Sequence, residues 1–149
     1  MAFRETVRSV LNVKGVEVWS VPPDSTVYDA LSLMAEKDVG ALVVVSEGRI
    51  AGMFSERDYA RKVILHGKTS RETLVREVMT SPVMTVTPDQ TVNECMQIMT
   101  RHRIRHLPVV EAEKLVGVIS IGDLVNSIIS AQAETIQQLS SYIAGKYPG

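Results

Sequence analysis

The sequence is poor in the features that mark several large classes of protein. Its 149 residues hold a single cysteine, Cys95, so an internal disulfide framework is excluded and a reducing compartment is favoured. No apolar run approaches the roughly 20 residues that span a bilayer. The N-terminal stretch Met1–Glu5 contains no apolar signal-peptide core. We therefore expect a cytoplasmic protein.

The net charge is small, and motifs of reactive side chains are missing from the sequence. A net charge of −1 argues against general nucleic-acid binding, and aromatic residues, at 5%, do not interleave with the basic stretch Arg101–His106. The three histidines have no metal-ligand spacing with Cys95, and no Walker loop, G-x-G-x-x-G or catalytic triad is present. The sequence therefore predicts neither a metal site nor an enzyme, and Cys95 is interpreted as a small core residue.

The sequence does contain an internal repeat of 65 residues. Gly52–Asp58 (GMFSERD) returns as Gly117–Asp123 (GVISIGD), and the register extends without a gap back to Pro23 and Pro88. Over these 36 positions 11 residues are identical, where ordinary residue usage would give roughly two. A repeat of this length indicates one supersecondary unit used twice, so a site in one copy has a counterpart in the other.

Each copy has the pattern of a β-α-β-β-α unit. An extended segment leads to Thr26 or Thr91, which begins a helix; two β-rich stretches joined by a polar turn follow, and a last helix begins at Ser55 or Ser120. One copy alone leaves a sheet face open, so the two are expected to pack together. The apolar positions of the first helix share one face: Val27, Ala30, Leu31 and Met34 in one copy, and Val92, Cys95, Met96 and Met99 in the other.

Helices are also expected on both flanks and in the linker. An apolar stripe of Phe3, Val7, Val10 and Leu11 predicts an N-terminal helix, and a short helix is expected within residues 73–78. Near the C-terminus a heptad-like spacing predicts a helix that ends at Gly145. The apolar stripe of this helix is expected to cover either the body of the chain or a second subunit. The positions of this spacing are Val125, Ile129, Gln132, Ile136, Leu139 and Ile143.

The repeated Ser-x-x-Asp segment has two interpretations. In the first, Ser55 and Ser120 cap their helices while Asp58 and Asp123 lie favourably at the positive end of the helix dipole. In the second, the helix start accepts a phosphate and the carboxylate binds a ribose diol. A glycine three residues before each serine would let the strand backbone approach a ligand or a neighbouring strand closely.

These segments resemble those of a tandem pair of CBS (cystathionine-β-synthase-type) domains, a Bateman module. The resemblance rests on the two apolar-Ser-x-x-Asp segments, on Ile104–Val110 and on Val78–Val83, and covers about residues 12–130. It implies an α/β (α+β) fold in which two β-α-β-β-α repeats pack with pseudo-twofold symmetry between N- and C-terminal flanking helices. It also implies clefts that bind an adenosyl compound: AMP, ADP, ATP, NAD or S-adenosylmethionine.

The resemblance further implies which residues bind the ligand. Asp58 and Asp123 would hold ribose hydroxyls, and Ser55 and Ser120 would meet ribose or phosphate. Arg105 and His106 give the second copy more positive charge for phosphate, although the basic stretch around them is equally interpreted as a solvated helix end. The other implied residues are Val18, Trp19, Ser20, Pro82, Val83 and Met84 around the adenine, with Asp38, Val39, Gly40, Ala41, Glu56, Arg57, Arg103, Ile104 and Pro108 beside it.

These patterns set the expected organisation and function. We expect an N-terminal helix at 1–15, a first repeat at 16–65, a linker at 66–78, a second repeat at 79–130 and a C-terminal helix extension and tail at 131–149. The expected function is a homodimeric regulatory sensor of AMP or NAD(H) that shifts conformation and acts on a protein effector. The alternative is a ligand-free dimeric scaffold that works through its C-terminal helix.

Overall fold

The structure, a computed structural model, describes residues 5–143, and side chains as far as residue 140. These residues have the predicted mixed helix-and-strand fold with two small sheets. The described residues divide into two compact units: unit 1 comprises residues 5–15, Thr87–Leu107 and residues 119–143, and unit 2 comprises Val16–Val86 and Pro108–Val118. The predictions for Phe3, Gly145 and the side chain of Ile143 lie outside the described part.

The elements follow the predicted order with one correction. They are α1 Val7–Lys14, β1 Ser20–Val21, α2 Val27–Lys37, β2 Ala41–Ser46, β3 Arg49–Ser55, α3 Glu56–Asp58 with a π-helical continuation Tyr59–Ile64, α4 Val75–Val78, α5 Val92–His102, β4 His106–Glu111, β5 Lys114–Ser120 and α6 Ile121–Ile143. The opening strand predicted for the second repeat needs correction, since only a single parallel bridge, between Val86 and Val109, is formed. Pro108 takes the place of Val43, whose N–H donates to the Trp19 carbonyl at 3.3 Å in the first repeat, and proline cannot donate this ladder hydrogen bond.

The sheet of unit 2 is built around β2. β1 pairs with β2 in parallel and β3 pairs with it antiparallel, with a bulge between Val44 and Val45. Residues Ala41–Val44 are buried on both faces of the strand, which accounts for their continuous apolar run. One face packs against α2 through Leu42 and Phe54, and the other gathers Val43 and Met53.

The first helix of each repeat begins and ends in the same way. Thr26 and Thr91 each accept a hydrogen bond from the backbone N–H three residues later, which confirms the predicted helix starts. Asp38 and Arg103 end the two helices in the left-handed conformation, each at φ 54°. The predicted inner faces are confirmed: Val27, Ala30, Met34, Val92, Cys95 and Met99 are buried, and Leu31 and Met96 are half-buried.

The structure also shows that α1 and α4 are equivalent, with an offset of 68 residues instead of 65. Val7 donates to the Gln90 carbonyl at 2.9 Å, and Val75 donates to the Ser25 carbonyl at 2.8 Å. The ion pair between Arg8 and Asp89 has its counterpart between Arg76 and Asp24. The residues of α1 are therefore hydrogen-bonded to the start of α5 within unit 1, and those of α4 to the start of α2 within unit 2. We call α1 and α4 the bracing helices.

Candidate functional site

In unit 2 the first Ser-x-x-Asp segment forms a capping box at the start of α3. The Ser55 hydroxyl accepts a hydrogen bond from the Asp58 N–H at 3.2 Å, and the Asp58 carboxylate accepts one from the Ser55 N–H at 3.0 Å. The Ser55 hydroxyl lies 3.1 Å from the same carboxylate. The capping interpretation therefore describes the contacts inside this segment.

Two side chains from outside the segment complete the surroundings of Asp58. The Thr80 hydroxyl donates to Asp58 Oδ1 at 2.9 Å, and Lys62 Nζ lies 3.1 Å from the same oxygen. Asp58 is only 7% exposed, and a carboxylate buried to this degree requires such compensation. Gly52 makes the Thr80 contact possible, because a Cβ at this position would lie 2.8 Å from the Thr80 carbonyl oxygen. The predicted close approach at Gly52 is thus to a neighbouring backbone.

Several of the predicted ligand-binding segments of unit 2 lie against β2 or the start of α3. The Glu56 N–H donates to the Gly40 carbonyl at 3.1 Å, which joins the start of α3 to the start of β2. Val18 and Val83 pack against Ala41 on the outer face of the sheet. The flanking residues Trp19, Ser20, Pro82 and Met84 lie on the same two segments, and Lys37 is 4.3 Å from the centre of the Trp19 ring.

In unit 1 the second segment has the same local geometry at the start of α6. The Asp123 carboxylate accepts from the Ser120 N–H at 2.8 Å, and the Ser120 hydroxyl accepts from the Asp123 N–H at 3.2 Å. Here the outside partner is Lys14, at the end of α1, which donates to Asp123 Oδ2. Burial alone would raise the pKa of Asp123, but the Lys14 and Ser120 hydrogen bonds outweigh burial and hold this pKa below its ordinary value.

Arg105 and His106 lie beside this second carboxylate. The Ile121 N–H donates to the Arg105 carbonyl at 2.8 Å, the counterpart of the Glu56–Gly40 bond. Burial lowers the pKa of the half-buried His106, and the charges of Lys14 and Arg105 lower it further, while Asp123 opposes them. Unit 1 thus gathers three basic side chains and one carboxylate at the start of α6.

The remaining predicted residues have defined places. Arg103 ends α5, and the half-buried Ile104 donates its N–H to the Met99 carbonyl at 3.1 Å. Pro108 is buried in unit 2, where its carbonyl accepts from the Val86 N–H at 3.0 Å. Arg57 is half-buried within α3, next to the exposed Glu56.

Sequence reasoning missed the three side chains that hold the two carboxylates. Lys62 was visible as an i, i+4 partner of Asp58 on one helix. Lys14 is the last residue of α1 and Thr80 lies two residues after α4, and these two helices share the pattern Val-Arg-x-Val at residues 7–10 and 75–78. This shorter repeat was the feature of the sequence that could have indicated that Lys14 and Thr80 contact equivalent Ser-x-x-Asp segments.

The described part of the chain contains neither a metal-binding cluster nor a membrane-spanning helix. Within residues 5–143, no group of three His, Cys, Asp or Glu side chains lies close enough together to hold a metal ion. Over the same residues, no helix has the length and apolarity needed to cross a membrane.

Both repeats contain a strand that leads into a Ser-x-x-Asp helix start, and a first helix that is hydrogen-bonded to a bracing helix. These shared features are those of a tandem regulatory module. The chain belongs to the CBS-domain family: the model of the CBS domain matches it twice, at residues 10–65 and 75–130. The resemblance drawn from the sequence is thereby confirmed, and about three quarters of the chain lies within the two matches.

Known proteins of this family cover nearly the whole chain. The mitochondrial CBS domain-containing protein CBSX3 of Arabidopsis thaliana is 41% identical, with 95% of this chain and 73% of the relative aligned. A solved CBS-domain protein of Burkholderia ambifaria, described as acting in signal transduction, is 51% identical with a TM-score of 0.82, covering 85% of this chain and 96% of its own. A hexameric CBS-CP12 protein from bloom-forming cyanobacteria is 28% identical with a TM-score of 0.72, covering 80% and 69%.

Proposed function

We propose that the chain is a regulatory module that binds an adenine nucleotide, with AMP and NAD(H) as the leading ligands. One observation carries this proposal. In both repeats the first N–H of the Ser-x-x-Asp helix donates to a segment implied to line the nucleotide, from Glu56 to Gly40 and from Ile121 to Arg105. Each repeat therefore holds a hydroxyl, a carboxylate and a neighbouring wall together, which suits a ribose and its phosphate.

The contacts around the two carboxylates favour unequal sites. Asp58 lies with Lys62 and the Thr80 hydroxyl in unit 2, whereas Asp123 lies with Lys14 beside Arg105 and His106 in unit 1. The second set carries more positive charge, so a phosphorylated ligand is expected to bind it more tightly. ADP, ATP and S-adenosylmethionine remain further candidates for either site.

The proposed mechanism is regulatory and not catalytic. A ligand that contacts the strand end and the helix start at once favours the conformation in which these elements are held together. A protein effector would recognise that conformation. The homodimer and the cytoplasmic location predicted from the sequence remain part of this proposal.

The experiment that tests the proposal is thermal denaturation with AMP, ADP, ATP, NAD⁺, NADH and S-adenosylmethionine. A ligand at 100 times its dissociation constant adds about 2.7 kcal/mol if it binds only the folded state, and this raises the midpoint by several degrees. The variants Asp58→Asn and Asp123→Asn should each reduce the shift, and the double variant should abolish it.

Glu94→Gln is the matched control for removing the charge of a capping carboxylate. Glu94 forms a capping box with Thr91 at the start of α5, outside the proposed ligand contacts. Because glutamine can keep the capping hydrogen bond, this change should lower the midpoint little and leave the ligand shift unchanged. If no nucleotide raises the midpoint of the wild-type protein, the capping interpretation accounts for both segments and the ligand-free scaffold replaces this proposal.

A further inference from the structure

The helix α6 carries two apolar stripes, of which only one faces its own unit. Leu124 is fully buried and Ile128 half-buried on the side where α6 packs against α1 and α5. The Ser127 hydroxyl, on the same side, donates to Glu5 at 2.9 Å. This stripe ends at the half-buried Ala131, and every described side chain after it, from residue 132 to residue 140, is exposed.

The second stripe is solvent-exposed along its whole described length. We call it the seam and define it as Val125, Ile129, Gln132, Ile136 and Leu139. Its four apolar side chains are 39%, 57%, 64% and 58% exposed in chain order. The seam begins where α6 is supported by its unit and continues beyond the family match, which ends at residue 130. An isolated helical extension of this length is marginal in water, so it needs a partner along the seam.

The charge around the seam favours a second copy of the chain as that partner. From Leu124 to Ile143 the only charged residue is Glu134, which lies on the opposite side of the helix from the seam. Two identical seams can therefore approach without like-charge repulsion. An acidic or basic partner would find no complementary charge there.

The residue types along the seam favour one orientation. The 4, 3, 4, 3 spacing places Ile129 and Ile136 at a positions, and Val125, Gln132 and Leu139 at d positions. In parallel coiled coils, β-branched residues at a with leucine at d favour two strands. Gln132 is the polar exception at a d position. In a parallel, in-register pair it meets the same amide, which can both donate and accept a hydrogen bond. In an antiparallel pair it would meet an isoleucine and leave that amide unpaired.

We propose that the seam of one copy binds the seam of a second copy as a short parallel coiled coil, with Gln132 against Gln132. The inference deepens the homodimer of the proposed function and needs no nucleotide. It assigns dimerisation to a segment that lies largely outside the two CBS domains.

Disulfide trapping tests the orientation directly. Gln132→Cys should give a covalent dimer under mild oxidation, while Glu134→Cys, on the outer side of α6, should not. The native Cys95 is fully buried and should not interfere. A mixture of differently tagged Ile129→Cys and Leu139→Cys chains reports the other orientation, since a mixed dimer forms only if the helices run antiparallel.

Light scattering tests whether the seam holds the dimer. Ile136→Asp should raise the dimer dissociation constant at least about tenfold, and Gln137→Asp, the matched exposed neighbour, should leave it unchanged. A wild-type monomer, a dimer indifferent to Ile136→Asp or a mixed antiparallel crosslink would each overturn the proposal. Nucleotide-dependent stabilisation measured on the same samples would stand or fall separately.

Discussion

Lys14 donates a hydrogen bond to the Asp123 carboxylate across a sequence separation of 109 residues. The bracing helix α1 delivers this lysine, because the Val7 N–H and the Glu5 carbonyl bond to residues at the start of α5. The two side chains are 30% and 22% exposed, so the pair is less screened by water than an ordinary surface ion pair. The N-terminal helix is therefore tied to the candidate site of the second repeat.

Lys14→Met should lower the free energy of unfolding at pH 7 by about 1 kcal/mol, the size expected for a partly buried charged hydrogen bond. The folded pKa of Asp123 is depressed from 3.8, so its stabilisation is present above that pH and is lost as the pH falls through the folded value. Urea denaturation of wild type and variant at pH 7 and at pH 3 measures the difference, which should shrink at the lower pH. Lys68→Met, at an exposed linker lysine, is the control, and an equal loss there would contradict the assignment.

Substitution by alanine should change the free energy of unfolding in opposite directions at Gly52, before the first Ser-x-x-Asp segment, and at Gly122, inside the second. At Gly52 the added Cβ would meet the Met79 sulfur and the Thr80 carbonyl at 2.8 Å, so Gly52→Ala should destabilise by about 1–3 kcal/mol. At Gly122, in the first turn of α6, the nearest atom is the Ser120 hydroxyl at 3.6 Å. Gly122→Ala should stabilise by about 0.5–1 kcal/mol through helix propensity. Denaturant midpoints measure both, and a loss at Gly122 as large as that at Gly52 would refute the steric account.

Thr80→Val should destabilise unit 2, because it removes a hydroxyl donor from a carboxylate that is only 7% exposed. We expect a loss of about 1–2 kcal/mol in the free energy of unfolding, most of it the cost of leaving Asp58 under-satisfied. Thr85→Val, at an exposed threonine of the same loop, controls for the change of side chain. Equal effects of the two substitutions in urea denaturation would mean that Lys62 and the Ser55 N–H satisfy Asp58 without Thr80.

The sequence was sufficient for the fold because its information there is local and repeated. Each predicted helix start is confirmed, because a capping side chain bonds to a backbone N–H only three residues away. The capping residues are Thr26, Thr91, Ser55 and Ser120. The first β-rich stretch of the first repeat is likewise found as the strand β2, since its β-branched side chains favour an extended backbone. The opening strand of the second repeat is shorter than predicted because Pro108 replaces Val43 and cannot donate the corresponding ladder hydrogen bond.

The surroundings of the carboxylates were less accessible to sequence analysis. The contacts of Asp123 with Lys14 and of Asp58 with Thr80 depend on where α1 and α4 pack, which is a tertiary choice. The two helices follow an offset of 68 residues, so a register fixed at 65 hides their equivalence. The relation becomes visible when the same backbone bonds are found at Val7 and Val75.

His106 should make the stability of the protein depend on pH near neutrality. Its folded pKa lies below the ordinary 6.5 because burial, Lys14 and Arg105 disfavour the imidazolium, with only Asp123 opposing them. Below pH 6.5 the unfolded chain therefore binds a proton that the folded chain does not, and stability falls as the pH is lowered towards the folded pKa. Unfolding free energies measured between pH 5 and pH 8 should show this slope in the wild type and a flatter one in His106→Gln.

Lys14→Met should raise the His106 pKa in an NMR titration of the imidazole, because it removes one of the charges that lower it. An unchanged slope in His106→Gln, or an unmoved titration in Lys14→Met, would show that this histidine does not share an electrostatic environment with Lys14 and Asp123.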